Sequence, residues 1–414
     1  MFSGCVEKSR ILRYNYLTVG IGPAEATVWK GFHAFFVWYE KDGSEMANCY
    51  MCGIELDDNN RTEEHIILNA IGGMLKSKNL ICKQCNSTFG DEIDSRLAKQ
   101  LQPFSVLMNV ERDRGKTPPI EAVRSSNNEK ILVYPGGKPG SPKPEVRFFD
   151  DNGQKRYHVV ARDHEEMNRI YKGIKKKYPS ATIIDTGEEV ENINEKITIE
   201  YDLGGEALES VCKTAISYYL HIGGKQEHIQ SFIDRFKKHD VLELCNFCYT
   251  EEISVGKSED GIFHSIAIVG DPQQKLLYSY IEFFNYYHVL VLLNDDYVGE
   301  RFQSVYCYNL IQKRESEAFF DVFVTREIVT DILSKALPDY GKSLVRELQS
   351  TVRQIEIKNS IDKVWKEIVL EHQESYPDGI PTKIFAKIFA EKMVREFAPY
   401  LQSPINKREN NCNG

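Results

Sequence analysis

Four cysteines arrive as two pairs, Cys49-Tyr50-Met51-Cys52 and Cys82-Lys83-Gln84-Cys85, with 29 residues between them. A two-residue spacing lets each pair form a tight knuckle, and two knuckles complete a tetrahedral thiolate set for Zn2+. A closed set leaves no open position for substrate, so this zinc is expected to fold a module and not to do chemistry. The residues that could do chemistry lie around the knuckles: Thr62-Glu63-Glu64-His65-Ile66-Ile67, then Gly72-Gly73, then Asn79-Leu80-Ile81 running into Cys82, and Asn86 directly after Cys85. Imidazole is near half-protonated around neutral pH, which suits His65 to general-base work.

The order CxxC, EHI, GG, NLICxxCN resembles the HNH endonuclease family, in its zinc-stabilised branch built on a ββα-metal finger, from Cys49 to Asp94. What the resemblance implies is phosphodiester hydrolysis. Such a reaction needs an in-line nucleophile, a group to take its proton, and a cation against the charge on the leaving oxygen. By resemblance His65 is the base, while Glu64 and Asn86 bind a catalytic Mg2+ or Mn2+. Asn79 would hold the His65 ring in the tautomer that leaves one nitrogen free. Gly72 and Gly73 would turn the chain tightly, and Gly90 and Asp94 would belong to a buttress behind the finger. Two positions depart from the pattern: Leu68 stands where proline often follows EHI, and Asn86 replaces a histidine, which weakens the expected hold on metal. On a regular strand Glu64 and His65 would point to opposite faces, so a bend at the pair is required.

Net charge is −9, so the whole molecule offers no attraction to a polyanion and any nucleic-acid contact must be local. From Arg61 to Lys116 nine Lys and Arg stand against seven Asp and Glu, a weak excess whose candidates for phosphate contact are Lys76, Lys78, Lys83, Arg96 and Lys99. The reading is a DNA-directed, metal-dependent endonuclease, with RNA also open as substrate because such a finger reads phosphate more than base or sugar. Restriction, phage defence and mobile-element processing are equally open purposes. The rival reading is a zinc-dependent nucleic-acid-binding or regulatory module that does not cut, its acidic body meeting a protein partner or a second copy of the chain.

At 414 residues the chain needs more than one core. The expected fold class is α+β: a small N-terminal zinc-bound ββα finger, a mixed α+β region with an antiparallel meander, and a C-terminal helical layer. Residues 1–45 sustain no helix or strand period and read as an N-terminal extension, with two readings open: a natural start at Met46, or an ordinary N-terminal strand and short helix packed on the body. The finger occupies 46–112. Residues 113–145, with six of the fifteen prolines between Lys116 and Pro144, read as a linker. An α+β domain is expected over 146–325. It opens with a hairpin about Asp151-Asn152-Gly153 and a helix capped by Asp163, continues through a helix over Glu206 to His221, and holds three strands at 262–269, 276–284 and 288–293. Helices follow over 326–402, one face carrying Leu344, Leu348, Val352 and Ile355, and a polar tail closes the chain at 403–414. No stretch is long and apolar enough for a membrane span, no secretory signal is read, and the expected compartment is the cytoplasm. Cys245-Asn246-Phe247-Cys248, without a second pair, reads as buried thiols.

Overall fold

The computed structural model describes residues 47–401, apart from 125, 141–143, 152–153, 162–163, 181–196, 200–204, 249–252, 260, 323, 336–356, 358–359 and 378. The expected N-terminal extension, the Asn152-Gly153 turn, the Asp163 cap, the helical face at 344–355 and the tail lie outside the described residues. The chain forms two compact units, one from Met1–Pro118 with Tyr201–Val345, the other from Pro119–Glu200 with Arg346–Gly414.

The first unit begins with the finger. Strand β1 (Glu64–His65) pairs antiparallel with β2 (Lys76–Ser77), placing His65 opposite Lys76. Helix α1 (Lys83–Phe89) follows, with Cys82 as its N-cap and no side-chain cap bond, so that the capping position is given to a thiol. A π-turn at Gly90–Asp94 leads into α2 (Ser95–Leu107). The β1–β2 connection is tight because of its two glycines. Gly72 has φ +87°, and a Cβ on Gly73 would lie 1.9 Å from the Ile67 carbonyl oxygen. No L side chain fits there without moving backbone, so Gly73→Ala is expected to destabilise this unit by at least about 2 kcal/mol, read as a lowered thermal midpoint.

Helix α2 ends in a Schellman turn. The Asn109 N–H donates to Val106 O at 3.2 Å, the Val110 N–H donates to Ser105 O at 2.9 Å, and Asn109 adopts φ +51°. The chain is thereby reversed, and residues 111–114 come back over β1.

The division between the units falls inside the stretch expected to be a linker, at Pro118–Pro119, and the part in the second unit forms strands. Strands β3 (Ile120–Arg124), β4 (Lys130–Tyr134) and β5 (Lys138–Gly140) pair antiparallel in a sheet of order β5-β4-β3-β8, with β8 at Ile197–Thr198. The prolines lie outside β3 and β4, and Pro139 sits on the edge strand β5, where a missing N–H costs least. Ile120, Ala122, Ile131 and Val133 alternate inward as a half-buried sheet requires. The expected hairpin is β6 (Glu145–Asp151) with β7 (Gln154–Val160), and the next helix is α3 (His164–Lys177), its last turn carrying Lys175, Lys176 and Lys177. Residues 360–372 and Thr382–Leu401 are helical.

The first unit resumes with α4 (Leu208–His221) and α5 (Gln230–Phe236). A sheet then forms from β9 (Cys245–Phe247), β11 (Phe263–Asp271), β12 (Leu276–Phe283), β13 (Tyr287–Asn294), β14 (Phe302–Asn309) and β15 (Arg314–Glu315), in the antiparallel order β15-β14-β11-β12-β13-β9. The expected meander is β11-β12-β13. One face meets the pair β10 (Ile253–Lys257) and β16 (Ala318–Val322) with α6 (Arg326–Ser334), in a core of Tyr278, Tyr280, Val255, Phe320 and Ile332. On the other face Tyr218 of α4 bonds Ser304 Oγ at 3.0 Å and packs on Tyr306. Both faces covered explain why every residue of β12 is buried. Cys245 and Cys248 are buried.

The finger is seated on this body. His264 of β11, fully buried, donates from Nε2 to the Ile71 carbonyl at 2.8 Å while its Nδ1 accepts the Phe284 N–H. Burial holds its imidazole down at about 4, in the neutral form this pair of bonds needs. The observed architecture is the expected α+β arrangement of four-cysteine finger, antiparallel sheet and C-terminal helices.

Candidate active site and metal centres

The sulfurs of Cys49, Cys52, Cys82 and Cys85 all lie within 4.8 Å of one another. Four sulfurs at about 2.3 Å from a tetrahedral zinc stand about 3.8 Å apart, and Cys52 and Cys82 are separated by 3.8 Å. Backbone N–H groups of the first knuckle and of Cys82 point at the Cys49 sulfur, as suits a thiolate. Burial and the neighbouring thiols push the Cys85 thiol far up. The cluster fits structural zinc.

Beside it a cleft of about 270 Å³ is lined by Glu64, His65, Asn86, Asp94 and Arg114 among others. Glu64 and His65 both reach it because β1 is only two residues long and the chain bends at Ile66 and Ile67. Glu64 is buried and ion-pairs through Oε1 with Lys213 Nζ at 2.5 Å. Burial pushes its carboxyl up from the ordinary value, with Lys213 and the Asn86 amide opposing that rise. Asn86, early in α1, also donates to Thr62 Oγ1 at 3.4 Å. Carboxylate and amide oxygens are the donors that a hard divalent ion takes, so Glu64 and Asn86 fit such an ion.

His65 is oriented by residues outside the sequence motif. Its Nε2 lies 3.2 Å from Asp113 Oδ2, and its Nδ1 lies 3.5 Å from an Arg114 η nitrogen. A carboxylate only accepts, so Nε2 carries the proton and Nδ1 keeps its lone pair. The segment is pinned by Asn69, whose amide donates to Arg114 O at 2.9 Å and whose oxygen accepts the Arg114 N–H at 3.2 Å. Burial lowers the His65 imidazole below 6.5; Asp113 opposes this, while Lys76 and Arg114 add to it. The orientation expected of Asn79 is not found. Asn79 is exposed, its backbone N–H bonds Ser77 Oγ at 3.3 Å, and its side chain makes no hydrogen bond to His65 among the described residues. The contacts to the His65 ring come instead from Asp113 and Arg114, on the chain returning after α2.

Residues 49–102 match the family model described as HNH endonuclease. They form an HNH endonuclease domain. No curated protein and no solved structure matches the chain. The domain implies a nuclease and a nucleic-acid substrate. Asp113, Arg114 and Lys213 lie beyond the matched HNH residues, yet Asp113 and Arg114 contact His65 and Lys213 contacts Glu64.

Of the five basic candidates, Lys76 is engaged inside the HNH site, 2.7 Å from Asp113 and 3.3 Å from Glu63. Lys83 Nζ donates to Asn59 O, and Arg96 pairs with Glu206 at 3.4 Å. Lys78 is exposed with a loose 3.9 Å contact to Glu63, and Lys99 is exposed. Among the described residues no helix is long and apolar enough to cross a membrane.

The Asp113 contact makes a pH prediction. A general base works when neutral, so its activity falls as pH drops through its pKa. Were His65 the base of this site, the acid limb of the pH–rate profile should lie below 6.5, since burial lowers its imidazole. Asp113→Asn removes the group that raises the imidazole and should move that limb to still lower pH while lowering the plateau rate. An unmoved limb would take Asp113 away from the base.

Proposed function

We propose that this protein is a metal-dependent HNH endonuclease that hydrolyses DNA phosphodiester bonds, with His65 as general base. The observation that supports it is the convergence of Glu64, His65, Asn86 and Arg114 on one cleft beside the four-cysteine cluster. His65 presents Nδ1, the nitrogen with the lone pair, and Asp113 on Nε2 stabilises the imidazolium that forms when Nδ1 takes a proton from the attacking water. Arg114, 68% exposed, can turn from Nδ1 to an incoming phosphate oxygen and so uncover the base when substrate arrives. Glu64 and Asn86 would hold Mg2+ or Mn2+, which when bound supplies Lewis-acid charge against the leaving 3′ oxygen. Asn79 has no part in this scheme. Lys78, Lys83, Arg96 and Lys99 are proposed as outer phosphate contacts.

DNA is the proposed substrate, with restriction, phage defence or mobile-element processing as the setting. The cytoplasm is the proposed compartment, where free thiols such as the knuckle cysteines stay reduced. The test is cleavage of supercoiled plasmid and of a labelled RNA by the zinc-loaded chain with Mg2+ or Mn2+, beside EDTA. Nicking or linearisation of plasmid, lost in EDTA, supports the reading. Cleavage of RNA alone would move the substrate class.

A further inference from the structure

We infer that Lys213, from α4, is a positioning residue for the metal-binding carboxylate Glu64, so that the nuclease centre is completed by a cation from outside the HNH domain. This rests on the metal reading of Glu64. The Lys213 ammonium touches two carboxylates that both line the cleft: Glu64 Oε1 at 2.5 Å and Asp94 Oδ2. Its side chain is 3% exposed, and it lies 5.7 Å over the Phe89 ring of α1. One helical turn earlier, Ser210 Oγ donates to the other Asp94 oxygen at 2.6 Å. One turn later, Ser217 lies beside the buried phenol of Tyr50, the residue that follows Cys49 in the first knuckle. A single face of α4 therefore engages Glu64 and the π-turn carrying Asp94.

A buried ammonium is costly to desolvate, and packing alone would be served by an apolar side chain of the same length. Its position between two cleft carboxylates gives the charge a use. Without it Glu64 and Asp94 repel each other across the same space. Two carboxylates facing one gap can also hold a second divalent ion, and the ammonium fills that position. With one oxygen committed to Lys213, the Glu64 carboxylate is fixed in orientation for a single ion shared with Asn86.

The experiment uses the full zinc-loaded chain and Mn2+ as probe, its affinity read by electron paramagnetic resonance, with zinc content and circular dichroism as checks on the fold. Glu64→Gln should weaken Mn2+ binding at least tenfold and so identify the site. Lys213→Met should keep the zinc and weaken Mn2+ at least tenfold. Lys213→Arg should retain part of the affinity. Combining Lys213→Met with Asp94→Asn, which removes the opposing carboxylate together with the cation, should recover most of it, and this charge-balanced double variant carries the test if the single one folds poorly. A purely structural lysine would lower thermal stability in the single variant without that recovery. Wild-type Mn2+ affinity in a folded Lys213→Met, tighter binding, or a second bound Mn2+ overturns the proposal. If Glu64→Gln leaves Mn2+ binding unchanged, the metal reading of Glu64 falls and the proposal falls with it. If Glu64→Gln weakens binding and Lys213→Met does not, the positioning role alone falls.

Discussion

His65→Ala is expected to slow plasmid cleavage by about 10²- to 10⁴-fold, the range for loss of a positioned general base. The variant should keep its zinc, because His65 lies in the cleft and is not among the four sulfur ligands. It should also keep its fold. Among the described residues the imidazole bonds only Asp113 and Arg114, and Asp113 retains Lys76 at 2.7 Å when the ring is gone. The acid limb assigned to the imidazole should vanish with it, leaving a slow rate that no longer bends below pH 6.5. Plasmid binding, measured without divalent ion, should change little. A non-cleaving nucleic-acid-binding module would show no cleavage in the wild type and the same binding in both. Rates within tenfold of wild type would remove His65 from the chemistry.

Stripping zinc should have an effect as large by another route. Structural zinc contributes roughly 10–16 kcal/mol in finger peptides, as much as or more than the whole stability of an ordinary domain. Here the ion would tie the chain before β1 to the N-cap of α1, and the short β1–β2 pair of two residues a side has little to hold it otherwise. A chelator selective for zinc should therefore unfold the finger and end cleavage, with Mg2+ or Mn2+ unable to restore it and zinc able to. Cys82→Ser should do the same permanently. Zinc content by mass spectrometry and near-ultraviolet circular dichroism follow the two events together. Full activity in a zinc-free chain would overturn the structural assignment of the four-cysteine cluster.

The knuckles, the EHI segment and the Gly pair were readable because each is local: a spacing of two, a dipeptide turn, an acid next to a histidine. The meander and the helix ending before Gly223 were readable because period and punctuation agree there. What was not readable depends on chain reversal or on distance. Asp113 follows a Schellman turn at Asn109, and a boundary drawn at 112 for the nearby prolines cut it away from the histidine it holds. The signal available was Asn109 after an apolar helix, since asparagine readily takes the left-handed turn. Lys213 lies 119 residues from Asp94. Its signal was subtler: Leu208 to Tyr219 is buried on every side, and a helix with no solvent face must pair any charge it carries. The strands within the stretch read as linker were not legible because proline content was averaged over a window, whereas strand formation depends on which positions the prolines occupy.

The order in which the chain is made adds a timing to this architecture. At roughly 5–20 residues per second, the 119 residues separating Asp94 from Lys213 take about 6 to 24 s to be synthesised. During that interval the knuckles can already capture zinc, but Glu64 and Asp94 face each other without their ammonium, and the Ile71 carbonyl awaits His264. On the proposed reading, a ribosome-bound chain would carry its knuckles before it carries the Lys213 ammonium. The contacts of Glu64 with Lys213 and of Ile71 with His264 would then form only once α4 and β11 have emerged.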